Sequence, residues 1–283
     1  MEKPIVISTA PFDGYDFATA FKEIANLGVD YVEIAFIEGY TDPFTEAYFV
    51  PDNARMILSL LADNGLDCLS FSSHIDLAKD DAVDIFTRRM DFAKHIGARY
   101  IISNAGPTAR KAQFMQNIAE LGRRAADRGM IIALENPGDG RPNVLDSAGP
   151  AAAILAEIDL DSVCLNYDFG NLISHCFEKI DPVEDYRLAL DCTGHFHIKD
   201  VAAGPDGWYF TEIGQGGIDY RRILTEIAAL ETPIPISLEI PLRVSRRPDA
   251  LPRRAAQPVD LDTIRTILSG SVQFVKNMIS QNR

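Results

Sequence analysis

The sequence predicts an α/β protein, a single-domain (β/α)8 TIM barrel spanning 1–283. Three observations predict it. Eight short, apolar, β-rich runs alternate with eight longer segments of helical period, the count for a closed barrel of parallel strands. Gly28, Gly65, Gly97 and Gly129 each fall just after a helical segment and just before a strand, at intervals of 37, 32 and 32 residues. A left-handed C-cap suits glycine there, so these four mark repeating βα units. No linker or composition shift divides the chain, and no Gly-rich phosphate fingerprint of a doubly wound sheet follows the first strand.

The elements follow in order. Residues 4–8 form the first strand, on Ile5, Val6 and Ile7, and 15–27 the first helix. Further strands are expected at 30–36, 67–72, 99–103, 130–135, 162–168, 194–199 and 234–240. Helices are expected at 52–64, 82–95, 111–128, 146–157, 184–191 and 219–230 between them, and at 259–280 after the last. The 283 residues are 47% hydrophobic and 24% charged, which supplies a sizeable core and is ordinary for a folded chain.

Composition excludes several classes. A net charge of −14 argues against holding a phosphate backbone, so no nucleic-acid partner is expected. No apolar run reaches 18 residues, so no membrane span is expected. Residues 1–8 lack a basic start with a long apolar stretch, and Cys68, Cys164, Cys176 and Cys192 form neither a disulfide framework nor a CxxC pair. A cytoplasmic location is the expectation.

In a (β/α)8 barrel the chemistry lies at the carboxyl ends of the strands. Strand five ends Ala133-Leu134-Glu135-Asn136, and strand six ends Asn166-Tyr167-Asp168-Phe169-Gly170-Asn171. Strand seven reads His195-Phe196-His197-Ile198-Lys199-Asp200, and strand eight Ser237-Leu238-Glu239-Ile240. Glu135, Asp168, His197 and Glu239 are separated by 33, 29 and 42 residues, about one βα unit each. Each alone suits a helix cap, an ion pair or a core histidine. Together they place one oxygen or nitrogen donor on each of four successive strands at one rim. Three carboxylates and one imidazole suit Mn²⁺, Mg²⁺ or Co²⁺ better than a closed zinc site. A metal so held polarises a carbonyl, and the neighbouring C–H becomes acidic enough for a carboxylate to remove.

Other polar residues share that rim. Lys199 continues the face of His197 and is read as a catalytic cation for an enolate, or as a partner of a rim carboxylate. His195 lies one layer deeper and reads as support or core. His74 after strand three and Asn104 at the end of strand four are expected to contact substrate. His95 reads as a helix-end residue, and His175 lies in a loop. The segment 243–254 holds five arginines against one acid. Arg243, nearest the rim, is expected to bind substrate, and the rest reads as an anion receiver, a lid or a solvated loop. Trp208 is either a platform for a sugar face or loop packing.

These pieces, with Gly214-Gln215-Gly216-Gly217-Ile218-Asp219, resemble the xylose-isomerase-like TIM barrels of sugar isomerases, epimerases and related enzymes. The resemblance implies a divalent metal, often Mn²⁺, on Glu135, Asp168, His197 and Glu239. It also implies that Glu135 and Glu239 act as paired acid–base groups on opposite faces of the substrate. The ketose 3-epimerase branch has a second Glu six residues after the first, where this chain has Arg141. Its substrate-binding His, three residues after the Asp, is Asn171 here. Asn171 is therefore expected at the substrate, and the His-Ile-Lys-Asp segment looks more like the inosose dehydratase and hydroxypyruvate isomerase branches. The expected function is a metal-dependent isomerase or epimerase of a small sugar or polyhydroxy keto compound. A dehydratase of a keto-cyclitol or keto-sugar is the alternative. An AP-endonuclease-like nuclease needs more histidines than these five, of which only His74 and His197 are well placed. A non-catalytic sugar-binding protein would leave the four-ligand set without purpose. The resemblance also implies a homo-oligomer.

Overall fold

The computed structural model describes residues 3–280. Met1, Glu2 and 281–283, the ends of the expected unit, lie outside the described residues. Strands β1 (Ile5–Ser8), β2 (Tyr31–Ala35), β3 (Asp67–Asp76), β4 (Tyr100–Asn104), β5 (Ile131–Glu135), β6 (Val163–Asp168) and β7 (Thr193–Ile198) enter a barrel in chain order. After a hairpin of β8 (Asp200–Gly204) and β9 (Gly207–Thr211), β10 (Ile236–Leu238) closes the barrel between β7 and β1. Ile236 pairs with Phe196 on one side and Ile5 on the other, both in parallel. The helices are α1 (Phe17–Ala25), α2 (Pro51–Asp63), α3 (Ala82–His95), α4 (Lys111–Arg128), α5 (Ala148–Ile158), α6 (Phe169–His175), α7 (Pro182–Asp185), α8 (Tyr220–Ala229) and α9 (Leu261–Ser280). The predicted eight-stranded parallel barrel is the fold observed.

Local chemistry explains the elements. Asp16 starts α1 by accepting a hydrogen bond from the Thr19 amide at 2.8 Å. Helix α4 buries Phe114, Ile118, Leu121 and Ala125 on one stripe and stops at Gly129, at φ 67°. Burying each of its large side chains contributes about 1.5–3 kcal/mol. Gly28, Gly65 and Gly97 also take positive φ at their helix ends, as expected. No helix among the described residues is long and apolar enough to cross a membrane. The four cysteines are free thiols.

Two expectations are corrected. The helix expected at 184–191 is the short α7 followed by a 3₁₀ segment, Tyr186–Cys192. Asp181 caps α7 early, and the buried Tyr186 and Ala189, three residues apart, share one face of the 3₁₀ segment. The second correction concerns 243–254, which is not a free loop. It supplies β11 (Val244–Arg246) and β12 (Pro252–Arg254) to an antiparallel sheet of order β12-β11-β9-β8. Arg246 lies opposite Trp208 in that sheet.

Gly207 makes this junction. Its φ is +114°, and a Cβ there would overlap the Arg246 carbonyl oxygen. Gly207→Ala is expected to cost about 2–4 kcal/mol, from the positive φ and from overpacking. A urea titration measures it, and a loss below about 0.5 kcal/mol would show that the hairpin relaxes freely.

Candidate metal centre

Strand register sets the site. Glu135 ends β5 and Asp168 ends β6, where Asp168 is level with His197 of β7. Glu239 follows β10 directly, its amide donating to the Ile198 carbonyl at 3.2 Å. All four side chains are buried, and one ligand atom from each lies within 4.8 Å of the others. His197 Nδ1 is 2.9 Å from Glu135 Oε2, 3.5 Å from Glu239 Oε2 and 3.8 Å from Asp168 Oδ2. His197 Nδ1 and Glu239 Oε1 are buried without any hydrogen-bond partner. Unpartnered buried polar atoms of ligand type, converging on one point, are what a bound cation would satisfy. The residues fit a divalent ion.

The opposite side of the imidazole completes the fit. His197 Nε2 donates to Glu33 Oε2 at 2.9 Å, and Ser70 Oγ donates to the same oxygen at 2.8 Å. That bond leaves the Nδ1 lone pair facing the cluster when the ring is neutral. Glu33, His195 and His197 also gather ligand-type atoms. His197 Nε2 is engaged by Glu33, however, so this deeper group supports the first. Glu33 was not singled out from the sequence. Its only signal is one acid in the middle of the apolar run Tyr31-Val32-Glu33-Ile34-Ala35. Glu33→Gln is expected to weaken Mn²⁺ affinity about 10–100-fold with the fold retained. Calorimetric titration reads this, and unchanged affinity would make Glu33 a packing residue.

Neighbouring amides hold the carboxylates. Asn166 Nδ2 donates to Glu135 Oε2 at 2.7 Å, and Asn171 Nδ2 donates to Glu135 Oε1 at 2.8 Å. Asn136 brackets the Asp168 backbone, donating to its carbonyl and accepting from its amide. His195 bonds Asn166 Oδ1 through Nδ1 at 2.9 Å and does not reach the cluster. Burial pushes its imidazole down to about 3, so it is neutral, as its depth suggested.

The charges are strongly coupled. Burial raises the Glu239 carboxyl above its usual range, against the pull of Lys199 and His197. Burial also opposes ionisation of Asp168 and Glu33, yet the adjacent cations hold each at about 2. Lys199 Nζ lies 2.7 Å from Asp168 Oδ2 and also pairs with Glu239. Burial works against its charge, but these carboxylates outweigh that and hold the ammonium above its usual value.

A cavity of about 970 Å³ opens over the cluster, lined by His74, Asn104, Glu135, Asn171, Lys199 and Glu239 among others. His74 belongs to the extended end of β3. Its Nδ1 meets Asn104 Oδ1 at 2.8 Å, and its Nε2 lies 3.7 Å from Glu135 Oε2. Another cavity of about 870 Å³, against Phe36, Phe44 and Tyr48, includes none of the four ligands. Arg243 is a correction. It is not among the residues lining the main cavity; it pairs with Asp13 at 3.2 Å and donates to the Ala255 and Ala256 carbonyls. Of the arginines in 243–254 it is Arg246 that lines the cavity, which Arg141 also borders. Trp208 donates to Glu178 and packs beside Phe177, outside the cavity lining. His175 is buried and bonds Asp146 at 2.9 Å, bracing the loop between β5 and α5.

A closed parallel barrel with a buried carboxylate–histidine cluster at its carboxyl rim defines a class of metal-competent barrels. Residues 21–265 match the xylose isomerase-like TIM barrel family, and the chain belongs to that family. A search of curated proteins finds no match to this sequence. Among solved structures, the chain resembles D-psicose 3-epimerase from Clostridium cellulolyticum H10, crystallised with D-tagatose, at 14% identity and TM-score 0.76. That match covers 98% of this chain and 99% of the other. A xylose isomerase-like TIM barrel protein from Mycobacterium smegmatis, in complex with magnesium, matches at 17% identity and TM-score 0.72, over 99% and 98%. The probable 3-DHS dehydratase from Bacillus anthracis matches at 16% and 0.69, over 97% and 99%.

Proposed function

We propose that the protein is a divalent-metal-dependent isomerase or epimerase of a small sugar or polyhydroxy keto compound. One observation carries the reading: Glu135, Asp168, His197 and Glu239 converge, buried, with unpartnered atoms on the last three, and Glu135 and Glu239 line a substrate-sized cavity. These four would hold the ion, Mn²⁺ first and Mg²⁺ or Co²⁺ as alternatives. The bound ion supplies Lewis acidity, polarising a substrate carbonyl and a neighbouring hydroxyl.

The chain's own groups then divide the proton transfers. Glu135 accepts amide hydrogen bonds on both oxygens, which fixes its direction. It is placed to remove a proton from the carbon beside the carbonyl. Glu239, whose carboxyl burial raises, is the member that holds and returns a proton. Lys199, packed against Glu239, stabilises negative charge developing on the substrate oxygens. His74 and Asn104, hydrogen-bonded to each other at the rim, orient hydroxyl groups.

A dehydratase is the second reading, favoured by Lys199. An ammonium beside the proton-holding Glu239 suits departure of a β-hydroxyl as water. The two readings share proton abstraction and differ in the fate of the enolate. The test is incorporation of deuterium from D₂O beside the carbonyl, across a panel of ketoses and keto-cyclitols with Mn²⁺ bound. Exchange without a new ultraviolet chromophore supports isomerisation, and exchange with one supports dehydration. No exchange in any member of the panel sinks both.

A further inference from the structure

Arg246 is the last residue of β11 and is 4% exposed. Its Nη1 donates to the Ala250 carbonyl at 3.2 Å, and its Nη2 approaches Asn171 Oδ1 at 3.4 Å. Its Nε is buried with no hydrogen-bond partner. The other arginines of its segment differ. Arg243 and Arg254 both bind Asp13, and Arg247 binds Asp249. Among the described residues no carboxylate forms an ion pair with Arg246. Its guanidinium instead lies over the Tyr40 ring, 5.4 Å from the centroid.

A guanidinium does not shed its proton in a protein, and a buried, unpaired charge is costly. The Tyr40 face offsets only part of that cost. The missing counter-charge has one direction to come from, because Arg246 lines the cavity over the carboxylate cluster. The backbone leaves room for the guanidinium itself: a Cβ at Gly138 would stand 2.5 Å from Nη2 and 2.6 Å from Asn171 Oδ1. Lys199 differs from it in having carboxylate partners, Asp168 and Glu239.

We propose that Arg246 receives an anionic group of the substrate, a carboxylate or a phosphate, through the N–H groups its protein contacts leave unused. The inference rests on the proposed function and narrows it to acidic or phosphorylated polyhydroxy carbonyl compounds. Asn171 fixes where the anion sits. Its Oδ1 faces Arg246 while its Nδ2 donates to Glu135 Oε1, so one amide separates the anion-binding fork from the proton-removing carboxylate. An oxyanion on a planar fork is held at two points, which orients the carbon chain over Glu135.

The probes are glycerol, D-glycerate and glycerol 3-phosphate, titrated calorimetrically into Mn²⁺-loaded protein. At least one anion is expected to bind ten-fold or more tightly than glycerol, and which one does so separates carboxylate from phosphate. Arg246→Met is expected to remove that preference while leaving glycerol and Mn²⁺ affinities unchanged. Arg246→Lys, which keeps charge but not the fork, is expected to retain part of it and serves if Arg246→Met does not fold. Equal or undetectable binding of all three probes overturns the inference. So does a preference that survives Arg246→Met, since the anion would then be bound elsewhere, for instance on the metal. Failure to take up Mn²⁺ would sink the proposed function instead, and the same probes titrated into metal-free protein would still decide Arg246.

Discussion

Glu239→Gln is expected to slow deuterium incorporation into a responsive substrate by about 10³-fold, within the range for losing one acid–base group. The substitution keeps the volume of a side chain that is almost fully buried, so the barrel has no cavity to collapse. What it removes is the charge facing Lys199 and the proton-carrying oxygen. Glu239 has two assigned roles, ligand and acid–base group, and the measurement must separate them. Exchange is therefore measured at saturating Mn²⁺, with metal content determined on the same sample. Full metal occupancy with slow exchange assigns the loss to proton transfer. Low occupancy at every concentration assigns it to ligation. Exchange within about ten-fold of wild type, with metal bound, would remove Glu239 from the reaction. Glu135→Gln is the matching variant: Asn166 and Asn171 donate to its carboxylate, and the NH₂ of a Gln would turn one of those bonds into a clash of donors.

Much of this centre was legible in the sequence because strand periodicity and unit spacing are both local signals. Glu135, Asp168, His197 and Glu239 each close an apolar run, and the intervals between them match one βα unit. The glycine-rich turn was legible as a motif, and its physical basis is now clear. Asp200 Oδ2 accepts from the Gly214 and Gly216 amides at 2.8 and 2.9 Å, and Oδ1 accepts from the Ile218 amide at 3.2 Å. The acid that follows Lys199 thus ties the turn down, which is why the two segments occur together.

Glu33 was not legible, because its partner His197 lies 164 residues away and only barrel closure joins them. Arg246 was obscured for another reason. Strands β11 and β12 are three residues each, too short to show a period of two. Arg243 and Arg246 stand in one basic segment, yet Arg243 lies in the turn before β11 and Arg246 ends that strand. One meets Asp13 and the other meets the cavity.

Mn²⁺ affinity is expected to rise with pH by close to ten-fold per unit below neutrality, flattening once His197 is already deprotonated. The sign follows from the metal-free cluster. Burial opposes charge on the His197 imidazole, but Glu33, Glu239, Glu135 and Asp168 outweigh it and hold the group well above its usual value. The metal-free ring is therefore protonated at neutral pH, with Nδ1–H facing the carboxylates. A metal ligand must present a lone pair, so binding releases that proton, and acid competes with metal. Lys199 must also leave Asp168 and Glu239, exchanging one neutralising cation for another. The exchange couples to folding, because the four donors converge only in the closed barrel. At a hundred times its dissociation constant the ion adds about 2.7 kcal/mol, roughly a 5 °C rise in Tm for a chain of this size. Thermal melts with and without Mn²⁺ measure the stabilisation. Calorimetry in two buffers of different ionisation heat counts the protons released. Affinity that stays flat from pH 6 to pH 8, with no proton released, would mean that His197 Nδ1 does not ligate the ion.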